Sequence, residues 1–251
     1  MGRRRGRRGG AGQGPGAQLG ADGGGGEARR VRSISVARAP RGVSGRLRLA
    51  GKVKRPVHVG ASAWKVRGAG VLLSQVAYGD DYVVPASVVR GAMRGRFAQE
   101  TRSCSGVPPY RCEPGNRCPA CVTFGTRGFK GRVWISDAVL VEGRVDAVAV
   151  SPNAERWVEA ITVGEVEVEV VMDSLDPAWI RPLLGSLGLE GDAPLVVGDA
   201  HADGRGEVEF QVVEIESPRG LGGPFGLGEV TVDSIGAWLG EVDAAAARSR
   251  A

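Results

Sequence analysis

Alternation of apolar and polar positions divides most of the chain into short strands. Over Arg46–Val53, Leu47, Leu49 and Val53 fall on one side and Arg46, Arg48 and Lys52 on the other, which predicts a half-buried strand with a basic outer face. Val163–Met172 alternates with the opposite charge: Val166, Val168 and Val170 inside, Glu165, Glu167 and Glu169 outside. Glu207–Ile215 alternates as well, with Val208, Phe210 and Val212 on one side. Arg132–Val141 reads as a strand, Tyr82–Val84 as a short extended segment, and a last strand is expected near Glu229–Val232. Gly68–Pro85 reads as a loop region with a short strand at Val71–Val76.

The period changes at Val88–Gln99, where Val89, Met93 and Phe97 recur at i, i+4 and i+8 and predict a helix. Ser87 stands where an N-cap belongs. Gly91 and Gly95 weaken this helix by roughly 1 kcal/mol each relative to Ala and leave one side flat for the approach of another backbone. Pro177–Leu187 reads as a short helix, capped by Asp176 or Ser174 and closed by Gly188. The order strand, helix, strand, strand, helix, strand predicts an α+β unit of ferredoxin-like (RRM-like) plan with insertions. No tandem repeat is present.

Composition adds a division of charge. Of 251 residues, 33 are Lys or Arg and 28 Asp or Glu, a net +5. Residues 1–135 hold 26 basic and 6 acidic side chains (+20), and residues 136–251 hold 7 and 22 (−15). One half is suited to an anion and the other is not. No apolar run approaches a membrane span, and the basic N-terminus has no apolar core of a signal peptide, so a cytoplasmic protein with reduced thiols is expected. Residues 1–33, with Arg3, Arg4, Arg5, Arg7 and Arg8 followed by Gly-rich sequence, read as a disordered arm: a solvated basic tail, or a tether for RNA. One domain is expected over 34–243, followed by a tail at 244–251.

All four cysteines, Cys104, Cys112, Cys118 and Cys121, lie in a Pro-rich irregular stretch at 102–122. Their spacing, C-x7-C-x5-C-x2-C, suits a structural zinc, since C-x2-C sets two thiolates on one tight turn. Arg102, Arg111 and Arg117 are at hand to offset the thiolate charge. Two disulfides and four free thiols are the alternatives, and the expected compartment argues against the disulfides.

A helix start at Ser87 offers free N–H groups to a phosphate, with Arg90, Arg94, Arg127, Lys130 and Arg132 nearby. Taken alone, these residues equally describe a solvated basic face. Their order is more specific. His58-Val-Gly60, Val84-Pro-Ala-Ser-Val-Val-Arg-Gly-Ala-Met-Arg94, Thr123-Phe-Gly125, Arg132-Val-Trp-Ile-Ser-Asp-Ala138 and the glycine loop Gly220–Gly228 follow one another. That series resembles the RAMP superfamily, in particular the backbone subunits of CRISPR type III effector complexes, well over 44–141 and loosely to 233.

The resemblance implies a modified ferredoxin-like RAMP domain that binds CRISPR guide RNA in an antiviral effector complex. Copies stack along the guide, with complementary target RNA and other subunits as further partners. It implies RNA contacts at His58, Ser87, Arg90 and Arg94, to which Arg127, Lys130, Arg132 and the loop residues Gly222 and Gly223 are added. His58 on its own residue type reads equally as a packed histidine, and the 220–228 loop as a plain hairpin turn. His201 reads as part of a polar turn.

The sequence departs from the family pattern in three places. The window Ala69–Leu73, where cleaving members carry an Asp, holds no carboxylate, and Asp80 and Asp81 come late. Ala86 and Arg90 replace the motif's Gly and Lys. The thumb expected after the Ser-Asp-Ala strand is short, about Val145–Ala160. Without the Asp, RNA binding is expected without cleavage, because metal-dependent cutting needs a carboxylate near the scissile phosphate. Asp137 is read as a structural hydrogen-bonding group. A target-cleaving endoribonuclease, a metal-independent processing ribonuclease and a zinc-stabilised scaffold are the alternatives.

Overall fold

The computed structural model describes residues 42–67, 70–104, 112, 116–149, 157–189, 193–198, 206–219, 236–240, 243, 244 and 247. The arm at 1–33, His201, the loop 220–228 with Gly222 and Gly223, the strand expected near Glu229–Val232 and most of the 244–251 tail lie outside the described residues.

In chain order the elements are β1 (Val43–Val53), β2 (Gly60–Arg67), β3 (Gly70–Gln75), β4 (Ala77–Tyr78), β5 (Asp81–Val84), α1 (Ala86–Glu100), α2 (Pro119–Phe124), β6 (Val133–Ile135), β7 (Ala138–Ala149) and β8 (Trp157–Leu175). A 3-10 turn at Pro177–Trp179 leads into α3 (Ile180–Ser186), then β9 (Leu195–Val196) and β10 (Glu207–Arg219). The sheet runs β4-β5-β7-β8-β1-β10-β9, with β6 and β3 also on β8 and β2 paired to β3. Among the described residues every strand pairing is antiparallel except β3 on β8. The chain is therefore an α+β protein.

The 19-residue β8 does two jobs. Its second half pairs with β1, with Leu47 opposite Val170 and Leu49 opposite Val168. Its first half pairs with β7 in a long hairpin. The segment expected as a short thumb, about Val145–Ala160, is the far part of that hairpin, with Val145 opposite Ile161 and Ala149 opposite Trp157.

Alternation decides which face of the sheet is covered. Leu47, Leu49, Val166, Val168, Val170, Val208 and Phe210 are buried, and they join one core with Val89, Met93 and Phe97 of α1 and Ile180, Leu183 and Leu184 of α3. Each such side chain contributes about 1.5–3 kcal/mol by leaving water. Phe97 meets Phe124 edge-on at 5.3 Å between ring centres, which fastens α1 to α2.

The other face corrects the reading of the charge division. Arg46 pairs with Glu169 at 3.1 Å and Glu216 at 3.5 Å, and Arg48 with Glu214 at 3.1 Å and Glu167 at 3.4 Å. Lys54 pairs with Glu209, and Arg55 with Glu207 at 3.2 Å. The hydrogen bond that Arg48 donates to Glu214 and the charge of Glu167 hold its guanidinium above its ordinary pKa. The basic strand from the positive half thus lies between two acidic strands from the negative half. Folding neutralises much of the division, because opposite charges on neighbouring strands attract and like ones repel.

Three local expectations also change. β2 is a strand of eight residues that alternation did not single out. The Cys-rich stretch contains a helix, α2, started by Pro119 at its first position. The strand expected over Arg132–Val141 is broken at Ser136–Asp137, where Glu169 bonds both the backbone N–H and the hydroxyl of Ser136.

Candidate nucleic-acid interface and metal centre

Helix α1 begins one residue before Ser87. Pro85, not Ser87, is the N-cap residue, and it has no side chain able to accept a bond. Asp137 fills that need from the β6–β7 break: its Oδ1 accepts from the Ala86 N–H at 2.6 Å. The N–H groups of Val88 and Val89 bond the Pro85 carbonyl. The helix start is thus capped by a carboxylate, which accords with a structural Asp137 and removes part of the N–H cluster expected to be open to phosphate. Ser87 sits exposed in the first turn.

Arg90 and Arg94 point from α1 to the turn after α2. Arg90 Nη2 donates to the Phe124 carbonyl and Arg94 Nη1 to the Gly125 carbonyl. The turn can present those carbonyls because two glycines touch. A Cβ on Gly131 would lie 2.4 Å from Gly125 N and from the Phe124 carbonyl carbon, and Gly125 has φ +82°. The family-like Thr123-Phe-Gly125 motif is therefore the surface on which these two guanidiniums are anchored.

Arg94 also reaches the cysteines, with Nη2 3.3 Å from Cys121 Sγ and 4.0 Å from Cys104 Sγ. The sequence places charge compensation on Arg102, Arg111 and Arg117, of which Arg111 lies outside the described residues. No spacing signal linked Arg94 to the cysteines, because a helix brings it there. Arg117 lies over the Phe129 ring instead, at 3.9 Å.

The four sulfurs of Cys104, Cys112, Cys118 and Cys121 lie within 4.8 Å of one another, and all four are free thiols. Cys104 and Cys121 are 3.3 Å apart, and Cys118 and Cys104 3.5 Å. Tetrahedral zinc with Zn–S of about 2.3 Å requires sulfurs about 3.8 Å apart, so the donor set fits a metal of that size and softness. Burial opposes ionisation of Cys118, but the backbone N–H groups of Cys104 and Cys121 and the neighbouring thiols outweigh it and bring the thiol down to about 6. Burial and the hydrogen bond with Cys104 push Cys121 up to about 12. Each thiolate makes the next harder to form, so a cation among them is what allows all four to ionise.

His58 is buried, at 7% exposure. Its Nδ1 is 2.6 Å from the Glu159 carbonyl oxygen, which can only accept, so Nδ1 carries the proton. Beside it, the buried Gln75 accepts from Val59 N–H at 2.9 Å through Oε1 and donates to the Val83 carbonyl at 2.9 Å through Nε2. Gln75 N–H donates to Glu159 Oε2 at 3.3 Å. This polar group joins the end of the β1–β2 connection to β3, β5 and β8. Neither Gln75 nor Glu159 carried a motif or period that would have found it.

The remaining predicted residues are the exposed ones. Arg127, Lys130 and Arg132 stand at the surface of the turn anchored by Arg90 and Arg94. Lys130 Nζ lies 4.5 Å above the centre of the Trp134 ring. The structure thus groups Arg90, Arg94 and the cysteines as one supporting assembly, sets Arg127, Lys130 and Arg132 on its outside, and buries His58 elsewhere.

A model of the RAMP superfamily matches residues 52–214, more than half of the chain, and its span contains all the cysteines and every candidate residue just described. No curated protein matches the sequence.

Proposed function

The chain belongs to the RAMP superfamily, and from that premise we propose that it is a guide-RNA-binding backbone subunit of a type III CRISPR effector complex, without nuclease activity of its own. One observation carries the reading beyond the family. Arg127, Lys130 and Arg132 are exposed and carry no ion pair among the described residues, whereas Arg46, Arg48, Lys54 and Arg55 are paired with glutamates. Among the described residues Lys52 and Arg102 are likewise exposed without an ion pair, but Arg127, Lys130 and Arg132 stand together on the braced turn, which is what suits them to a polyanion.

In this reading Arg127, Lys130, Arg132 and Ser87 meet the RNA backbone, and the guanidiniums of Arg90 and Arg94 hold the turn that presents them. His58 ties the β1–β2 connection to β8, apart from this site. Guide and target pair with each other, so the protein reads backbone shape rather than sequence. The strand order β10-β1-β8-β7, crossed through α1 and α3, supports a ferredoxin-like domain. Cys104, Cys112, Cys118 and Cys121 would hold a structural zinc, which supplies four-point cross-linking between the end of α1 and the start of α2. Other subunits of the complex, copies of this chain among them, are the protein partners.

The test is RNA binding against salt. For single strands, log K falls with log salt at a slope of about −0.7 per phosphate neutralised. Replacing Arg127, Lys130 and Arg132 together by Ala is expected to reduce that slope by about 2. Equal affinity at low and high salt refutes the interface. Mg²⁺-dependent cleavage of target RNA that is lost in Asp80→Ala or Asp81→Ala makes the protein the nuclease instead.

A further inference from the structure

Two aromatic rings stand beside the exposed cations, and the phosphate contacts do not explain them. Phe129, Lys130, Gly131, Arg132, Trp134 and Asp173 line a groove of about 330 Å³. Phe129 and Trp134 are only half-buried, and the indole lies beneath the Lys130 ammonium at 4.5 Å. Trp134 is opposite Val171 on β8, and Asp173 follows two residues on, so ring and carboxylate share one face of the sheet. The Asp173 carboxylate is held by the Ser174 hydroxyl at 3.1 Å.

We infer that this groove is a nucleotide subsite that takes one unstacked RNA base on Trp134. This rests on the RNA-binding reading and adds a base contact to it. Each feature matches a part of a nucleotide. A flat indole offers any base a π-face of its own size, which tolerates all sequences. Lys130 and Arg132 offer charge to the phosphates on either side of that base. Asp173 can only accept hydrogen bonds when ionised, and within a ribonucleotide it meets donors in the 2′-hydroxyl and the exocyclic amines. An acidic peptide could meet the cations and, through its backbone N–H groups, Asp173, but it has no flat ring at every unit to cover the indole, and a nucleotide chain does. A base inside a duplex keeps its stacking partners, so the subsite selects a single-stranded or splayed-out nucleotide. The ammonium now above the indole moves from the ring to a phosphate when a base arrives, an exchange of a weak surface contact for a stronger one.

The experiment compares the intact full-length protein with Trp134→Ala and Trp134→Phe on two ligands of equal length: an oligouridylate, and the same ribose-phosphate chain carrying abasic sites. Trp134→Ala is expected to weaken oligouridylate binding about tenfold, about 1.4 kcal/mol, and to leave the abasic chain unchanged. Trp134→Phe keeps a ring and is expected to stay close to wild type on both ligands. Indole emission should be quenched by oligouridylate in the wild type, and that component should be absent in Trp134→Phe, whose other tryptophans remain. A wild type that binds both chains equally, or a Trp134→Ala variant that loses the same factor on both, overturns the base subsite while RNA binding stands. A wild type that binds neither chain overturns the RNA-binding reading together with it. Trp134→Phe keeps the test open if Trp134→Ala does not fold.

Discussion

Replacing Asp137 separates a structural carboxylate from a chemical one. Its Oδ1 accepts from Ala86 N–H at 2.6 Å, and Pro85 offers the helix no cap of its own. Asp137→Ala removes a cap bond worth about 0.5–2 kcal/mol. It also removes a negative charge from the helix N-terminus, worth about 0.3–1 kcal/mol at a partly exposed site. The two overlap, so a loss of roughly 1–2 kcal/mol is expected. For a domain of this size that lowers the melting temperature by about 2–4 °C per kcal/mol. Asp137→Asn keeps an oxygen in the same place and loses only the charge, so it should recover at least half of the deficit. Urea unfolding followed by circular dichroism measures both, with an unchanged slope and a shifted midpoint. If Asp137→Asn is as unstable as Asp137→Ala, the hydrogen bond is not what matters. If neither loses stability yet both lose an RNA-cleaving activity, the residue is catalytic and the capping argument fails.

Four further outcomes follow from the same geometry. Gly91 and Gly95 have open space where a Cβ would go, so Gly91→Ala with Gly95→Ala should raise stability by about 0.5–1 kcal/mol each, and a weaker RNA affinity in that variant would show that a phosphate backbone approaches there. Gly131→Ala drives a methyl into the backbone at Thr123–Gly125 and should destabilise the fold by about 1–3 kcal/mol, with loss of metal; a variant as stable as wild type would mean the turn is not packed as described. Purified protein should carry one zinc per chain by mass spectrometry, and chelation or Cys118→Ser should lower the melting temperature; a metal-free protein with unchanged melting rejects the four-thiolate site. Arg48→Ala should melt below wild type at low ionic strength, and the gap should close in 1 M salt, about a 3 Å screening length, because both of its ion pairs are at the surface.

Periodicity located most of the secondary structure because burial of one face leaves a trace at every second or fourth residue. β1, β8, β10, α1 and α3 all have that trace, and Asp176 caps the turn before α3 through its bond to Ala178 N–H at 2.9 Å. β2 and α2 escaped because one sits beside glycine-rich sequence and the other among prolines and cysteines, where no apolar period stands out. The cysteine cluster was legible because its spacing within a short stretch already forces convergence.

The chain itself determined most of the elements, the α+β class, the four clustered cysteines and the supply of cations, since these depend on residue type and on neighbours within a few positions. Tertiary structure decided which cation does what. Arg46 and Arg48 look like RNA-facing residues until β8 and β10 set glutamates beside them. Arg94 is carried by α1 to Cys121, 27 residues away in sequence, a contact that no spacing announced. The physical reason is range: alternation and capping act along the chain, whereas the partner that neutralises a charge or anchors a guanidinium is chosen by which distant strands and turns the core brings together.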